Sequence, residues 1–386
     1  MSERVAVTGI GLVTPIGIGA EPFWHSLLTG RSGASEINSF DTSDFKTNLG
    51  CEIKDFTPDS YLDRSAARLG RASQFALAAS RMALSDSNFD ARYFDDQRVG
   101  VTLGASVSDF PQTNCNSVAA KVAEGFGFAG PVKTILAACA AGNYAIGHAF
   151  EAVHSRQADC MIAGGVEAFS KRAFAGFSRL RLIAPDACRP FDYNRKGILL
   201  GEGAGILVLE NMDIARRRGA RIYAEVLGYG LSCDASHIVA PHPEGRGAAL
   251  AMKRAMDNAR ISTDEVDYIS AHGNGTPGND KAETLAIKQV FGSRAYRLEI
   301  SSVKALTGHC LAAAGAIGAI ACVLGIDKGV VPPTWNLETP DPDCDLDYVP
   351  NEPREKQIKI ALNNSYAFGG NNACVVLAQS GLASCR

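Results

Sequence analysis

The chain has 386 residues, enough for two domains or one large unit with a substantial buried core. Hydrophobic residues make up 46% and charged residues 20%, which excludes a disordered chain; a net charge of −3 with no Lys/Arg-rich block excludes a general nucleic-acid binder. Eleven irregularly spaced cysteines with no CxxC pair point to reduced, mostly buried thiols, with neither a disulfide framework nor a metal site expected.

The opening residues MSERVAVTGIG enter a strand at once, without a secretory or transit pattern, and predict a cytoplasmic protein. In chain order, residues 4–9, 99–103, 159–163, 206–209, 222–227, 268–271 and 358–362 read as short strands. Helical patterns occupy 71–86, 139–152, 246–259 and 280–291. Their alternation predicts an α/β fold in stacked layers. A charged helix end at 216–219 marks the one seam, dividing 1–215 from 216–386, and each half opens on a strand with a Gly-rich turn (8–11 and 228–230). Gly9 and Gly11 lack the third glycine of a dinucleotide fingerprint, and Gly201, Gly203 and Gly205 read as packing positions, so no nucleotide is expected. The uncharged run 310–326 spans 17 residues, is rich in Ala and Gly, has no aromatic anchors, and predicts a buried helix and no membrane span.

Three junctions carry chemistry. In TILAACAAGNYAIG a strand passes through small residues into a helix, placing Cys139 at a helix N-terminus, where unpaired amides favour a thiolate. His272 ends a strand and opens HGNGTPGND, whose glycines let backbone approach a ligand while Asn274 and Thr276 offer hydrogen bonds. His309, in SSVKALTGHC, stands before the small-residue helix. Lys304 and Glu283 suggest a buried pair, and NNSYAFGGNN supplies another glycine turn. Together these residues suit a thiolate nucleophile, two imidazole donors and backbone amides around one carbonyl.

The segments VTGIGLVTPIG, AACAAGN, RPFDYNRKGILLGEGAG, SAHGNGTPGNDKAE, SSVKALTGHCLAAAG and NNSYAFGGNNA resemble, in order and over almost the whole chain, the motif series of β-ketoacyl carrier-protein synthases of the type II elongating class. They are most similar in character to ketosynthases of type II polyketide systems, including those that build conjugated aryl polyenes. The resemblance implies a thiolase-like fold of two related βαβ-type halves in an α-β-α-β-α body. It implies that Cys139 takes an acyl chain from an acyl carrier protein and that the Cys139 and Phe368 amides form an oxyanion hole. His272 and His309 would stabilise the enolate left when a malonyl unit loses carbon dioxide. Lys304, braced by Glu283, would set the electrostatics of the histidines.

The same resemblance makes Phe368, before Gly369 and Gly370, the acyl-pocket gate and Thr276 a pantetheine contact. It implies no bound cofactor, because substrates ride on the carrier's phosphopantetheine arm, and a homodimer or a heterodimer with a chain-length-factor-like homologue. Readings confined to acyl transfer or decarboxylation for starter loading, or to a pocket-shaping subunit, stay open, although such a subunit usually lacks the cysteine. Asn274, Ala141 and Asn371 depart from the family's usual residues, and 104–135 is shorter than in relatives, which bears on chain length and partner. An acidic carrier calls for a basic landing site. Arg64, Arg68 and Arg71, at i, i+4 and i+7, predict one helix face, and Arg181 is a family-matched addition.

Overall fold

The computed structural model describes residues 3–63, 68–106 and 118–382. Ten strands form the path of the main sheet: β1 (Val5–Thr14), β2 (Val99–Gly104), β3 (Val132–Ile135), β4 (Cys160–Glu167), β5 (Gly203–Asn211), β6 (Ala224–Cys233), β7 (Tyr268–Ser270), β8 (Glu299–Ser301), β9 (Ile360–Tyr366) and β10 (Asn371–Ala378). Seven helices matter here: α1 (Arg71–Asp86), α2 (Val118–Phe126), α3 (Ala141–His154), α4 (Lys171–Arg179), α5 (Arg246–Ala259), α6 (Pro277–Phe291) and α7 (Ala314–Lys328).

The strand order β8-β7-β9-β10-β6-β1-β5-β4-β2-β3 reads the same outward from its middle in both directions. From β1, two antiparallel steps to β5 and β4 are followed by two parallel steps to β2 and β3. From β6, two antiparallel steps to β10 and β9 are followed by parallel β7 and β8. The halves are stitched where Val5, Ala6 and Val7 pair with Val226, Glu225 and Ala224.

Packing follows from composition. All ten residues of β1 are buried, as expected for a strand covered on both faces. Helices α1 and α2 cover one half-sheet and α5 covers the other, while α3 and α7 touch each other and strands of both halves. Helix α7, AGAIGAIACVLGIDK, is buried all round from Ala314 to Ile326, so the apolar run is a core element. Its approach to α3 depends on two glycines. A Cβ on Gly142 would lie 2.8 Å from the Ala316 nitrogen, and one on Gly315 would lie 3.0 Å from the Asn143 nitrogen.

Gly9 and Gly11 are explained the same way, since added Cβ atoms would lie 2.2 Å and 1.8 Å from carbonyl oxygens of α1. Most strands run longer than the pattern predicts, because their ends carry Gly, Thr and Asn that periodicity does not score. Among the described residues nine cysteines are free and Cys233 alone of them is exposed.

Candidate active site

Cys139 sits in the 3-10 turn Ala138–Ala140 that joins β3 to α3, so the predicted helix begins two residues later than expected. Ala138 adopts a left-handed φ of 45°. The turn is held from the far half, as Ser365 Oγ donates to the Cys139 carbonyl (2.9 Å) and Asn143 and Asn363 exchange amide hydrogen bonds beside it. Sequence reading missed these roles, although NNSYAFGGNN had been noticed for its glycines.

His272 follows β7, and its loop is shaped by Gly273, whose φ is 27° and whose added Cβ would lie 2.8 Å from Phe191, and by Gly275 at φ 81°. The loop is gathered by Asp280, a fully buried carboxylate that accepts from the N–H groups of Phe191, Asn274 and Gly275. Nothing in the sequence marks Asp280 beyond its place in the motif. Pro277 opens α6, and the Thr276 hydroxyl turns back to Asn274 Oδ1 (2.8 Å). His309 is fixed by its backbone, because its N–H donates to the Leu199 carbonyl (2.7 Å) and its carbonyl accepts from Gly201 N–H (3.0 Å). This gives the segment GILLGEG its purpose.

These residues converge. One cavity of about 280 Å³ is lined by Cys139, His272, Asn274, Thr276, His309, Tyr366 and Phe368, with Phe177, Leu180, Leu182 and Ile198 on its apolar side. The two imidazole centroids lie 5.2 Å apart, edge to face. Tyr366 N–H donates to His272 Nδ1 (3.2 Å), so a neutral His272 carries its proton on Nε2. Burial, then the Lys304 charge, holds both histidines well below the ordinary imidazole range, so both are neutral. His309 Nδ1 is buried without a hydrogen-bond partner among the described residues.

Three expectations need correction. Burial pushes the Cys139 thiol up to about 12, and the Lys304 charge opposes this without overcoming it, so the resting group is a thiol and not the expected thiolate. Lys304 and Glu283 form no ion pair within 4.0 Å; each feels the other's charge, but Glu283 spends its two oxygens on the N–H groups of His272 and Gly273 (2.8 Å each). Burial raises the Glu283 carboxyl to about 7.

The third correction concerns the arginine face. Arg71 starts α1 after an extended Gly70 cap, so it shares no helix with Arg68, and its guanidinium is taken up by buried Glu202 (2.7 and 2.8 Å) and the Ile53 carbonyl. Arg64 lies outside the described residues. Arg68 and Arg181 are exposed. Helix α4, which the sequence reading passed over, carries exposed Lys171, Arg172 and Arg179, and its Phe177 and the following Leu180 line the cavity.

Phe368 lines the cavity and stacks on Phe177 (centroids 5.3 Å apart). Gly369 and Gly370 stand behind it at φ 79° and 78°: Gly369 N–H donates to the Ile238 carbonyl, and the Gly370 carbonyl accepts from Asp234 N–H. Cys139 and Phe368 both lie in 3-10 turns, Ala138–Ala140 and Phe368–Gly370, and the Cys139 N–H faces its own thiol. Ala141 is buried at the start of α3 and Asn371 begins β10.

The family described as "Beta-ketoacyl synthase, N-terminal domain" matches residues 2–215, and "Beta-ketoacyl synthase, C-terminal domain" matches 223–338. The chain belongs to the β-ketoacyl synthase family. It is therefore a carbon–carbon bond-forming acyltransferase with a thiolase-like fold. The 3-oxoacyl-[acyl-carrier-protein] synthase 2 of Synechocystis is 41% identical, with 96% of each chain covered. The ishigamide ketosynthase/chain length factor superposes with a TM-score of 0.94 at 40% identity, covering 99% of this chain and 100% of that one. A type II polyketide ketosynthase structure, AntDE:AntF, solved with its acyl-carrier protein and a hexaketide, superposes with a TM-score of 0.91 at 35% identity, covering 98% of this chain and 100% of that one.

Proposed function

We propose that this β-ketoacyl synthase condenses an acyl chain held on Cys139 with a malonyl unit held on an acyl carrier protein, by the route that its cavity suggests. The single observation behind this reading is that Cys139, His272 and His309, from three distant junctions, line one cavity. Cys139 Sγ attacks the acyl-carrier thioester, and the carrier thiol leaves with the proton. The developing oxyanion is met by the backbone N–H groups of Cys139 and Phe368, two residues that line the cavity from 3-10 turns. Malonyl carrier then enters, and its thioester oxygen accepts from the histidines while carbon dioxide departs. The resulting enolate attacks acyl-Cys139, the β-ketoacyl carrier is released, and the Cys139 sulfur recovers a proton from solvent.

Within this reading Phe368, stacked on Phe177, gates the acyl side, and Thr276 contacts the pantetheine arm. Burial, reinforced by the Lys304 charge, keeps the histidines neutral, and Glu283 positions His272 through its backbone N–H. No resident cofactor enters the scheme. We divide the chain into 1–215, carrying the cysteine, and 216–386, carrying both histidines; the mirrored strand order supports that division. An acyl carrier protein and a second ketosynthase-like subunit, either another copy or a chain-length-factor-like homologue, are the partners. Strand β3 offers such a subunit an open sheet edge, with Val132 40% and Leu136 57% exposed. The test supplies malonyl carrier alone to His272→Ala and His309→Ala: release of carbon dioxide should fall by about 100-fold or more in each, and release at the native rate would refute the assignment.

A further inference from the structure

Asn274 stands where the family usually carries a threonine, and its surroundings fix which way its amide faces. Its Oδ1 accepts from the Thr276 N–H (2.9 Å) and the Thr276 hydroxyl (2.8 Å). A backbone N–H can only donate, so the oxygen must face Thr276, and Nδ2 then lies 3.3 Å from His272 Nε2. Nε2 in turn carries a proton, because Nδ1 faces the Tyr366 N–H, another obligatory donor. Two donors therefore stand side by side at the wall of the reaction cavity, and neither can satisfy the other. A pair of this kind is completed by one oxygen bearing negative charge, placed between them.

We propose that Asn274 Nδ2 and His272 Nε2 together bind the malonyl thioester oxygen as it becomes the enolate, making Asn274 a catalytic residue of the decarboxylation step. The proposal rests on the condensation reading and adds one donor to it: Asn274 serves the reacting oxygen and leaves the pantetheine arm to Thr276. The bond between the malonyl Cα and its carboxyl carbon breaks, and carbon dioxide leaves. The electron pair passes onto Cα and is delocalised to the thioester oxygen, where both N–H groups meet it; neither donor gives up its proton. Acylation of Cys139 uses other donors, so the two half-reactions separate the roles.

The discriminating substitution is Asn274→Asp, which keeps an oxygen for Thr276 and turns only the donor into an acceptor; Asn274→Ala removes both functions. With malonyl carrier protein as probe, the kcat for carbon dioxide release should fall by about 100-fold or more in Asn274→Asp and by at least about tenfold in Asn274→Ala. In Asn274→Asp, which keeps the oxygen that holds Thr276, KM and the rate at which acyl carrier acylates Cys139 should change by less than about threefold on the expectation that uniform binding is untouched. A raised KM with unchanged kcat would reduce Asn274 to an arm contact, and an equal loss in both half-reactions would reduce it to a structural role; either overturns the proposal. A wild-type enzyme that releases no carbon dioxide would instead refute the condensation reading itself. A second measurement needs no variant: in the wild type bound to a malonyl-carrier amide analogue, one oxygen should contact both nitrogens, and an oxygen contacting His272 alone would contradict the proposal.

Discussion

A thiol held at about 12 by burial changes how Cys139 must react. Below that value the thiolate fraction rises about tenfold per pH unit, so alkylation of Cys139 by iodoacetamide should climb steadily from about pH 7 to about pH 10, with no plateau near neutrality. Lys304→Met removes the charge that pulls the thiol down, which slows labelling most at the neutral end of that range, because burial lowers the Lys304 ammonium itself. A plateau near neutrality, or faster labelling in Lys304→Met, would contradict this account. The identities of Cys139, His272 and His309 were legible because each stands where a strand meets small residues. Their protonation was not, since the N–H that fixes the His272 tautomer comes from Tyr366, 94 residues away, and the desolvation comes from the assembled core. Arg71 was misread for the same reason: Glu202, its partner, lies 131 positions along the chain.

Elements rather than single side chains set how closely the Cys139 turn and the turn after His309 approach. Helices α3 and α7 begin with 3-10 turns, Ala138–Ala140 and Leu311–Ala313, in equivalent places of the two halves, with Ala138 at φ 45° and Leu311 at φ 43°. Gly142 lets them touch: a Cβ there would meet backbone at 2.8 Å and 3.0 Å, and backbone cannot swing aside as a side chain can. Gly142→Ala should lower stability by about 1–3 kcal/mol, read as a reduced Tm, and lower elongation by displacing Cys139. An unchanged Tm would show that the helices have slack. The sequence foretold α1 and α5 well, with 71–86 and 246–259 matching the observed ends, because helical periodicity follows directly on a glycine, Gly70 or Gly245. It could not foretell that 310–326 packs against 139–152, because an all-round apolar helix has no preferred face.

On the scale of the whole molecule, two similar halves place a cysteine turn and a histidine turn around the same pair of central helices. The repeat was barely hinted at by two Gly-rich turns, because strand order and pairing sense are tertiary facts that side-chain patterns do not encode. Net charge also hid a local feature. The chain carries −3 overall, yet α4, whose Phe177 lines the cavity, carries exposed Lys171, Arg172 and Arg179, and exposed Arg181 follows it. Reversing two of them, Arg179→Glu with Arg181→Glu, should raise the KM for acyl carrier by about tenfold. Iodoacetamide labelling of Cys139 should be unaffected, and the wild-type KM should rise with salt; an unchanged KM would place carrier docking elsewhere. The most direct trial of the whole account is the mass of the product formed from acyl carrier and malonyl carrier together. The wild type should yield a β-ketoacyl chain longer by two carbons, and Cys139→Ala none. Elongation by Cys139→Ala, or release of carbon dioxide without any longer chain from the wild type, would contradict it.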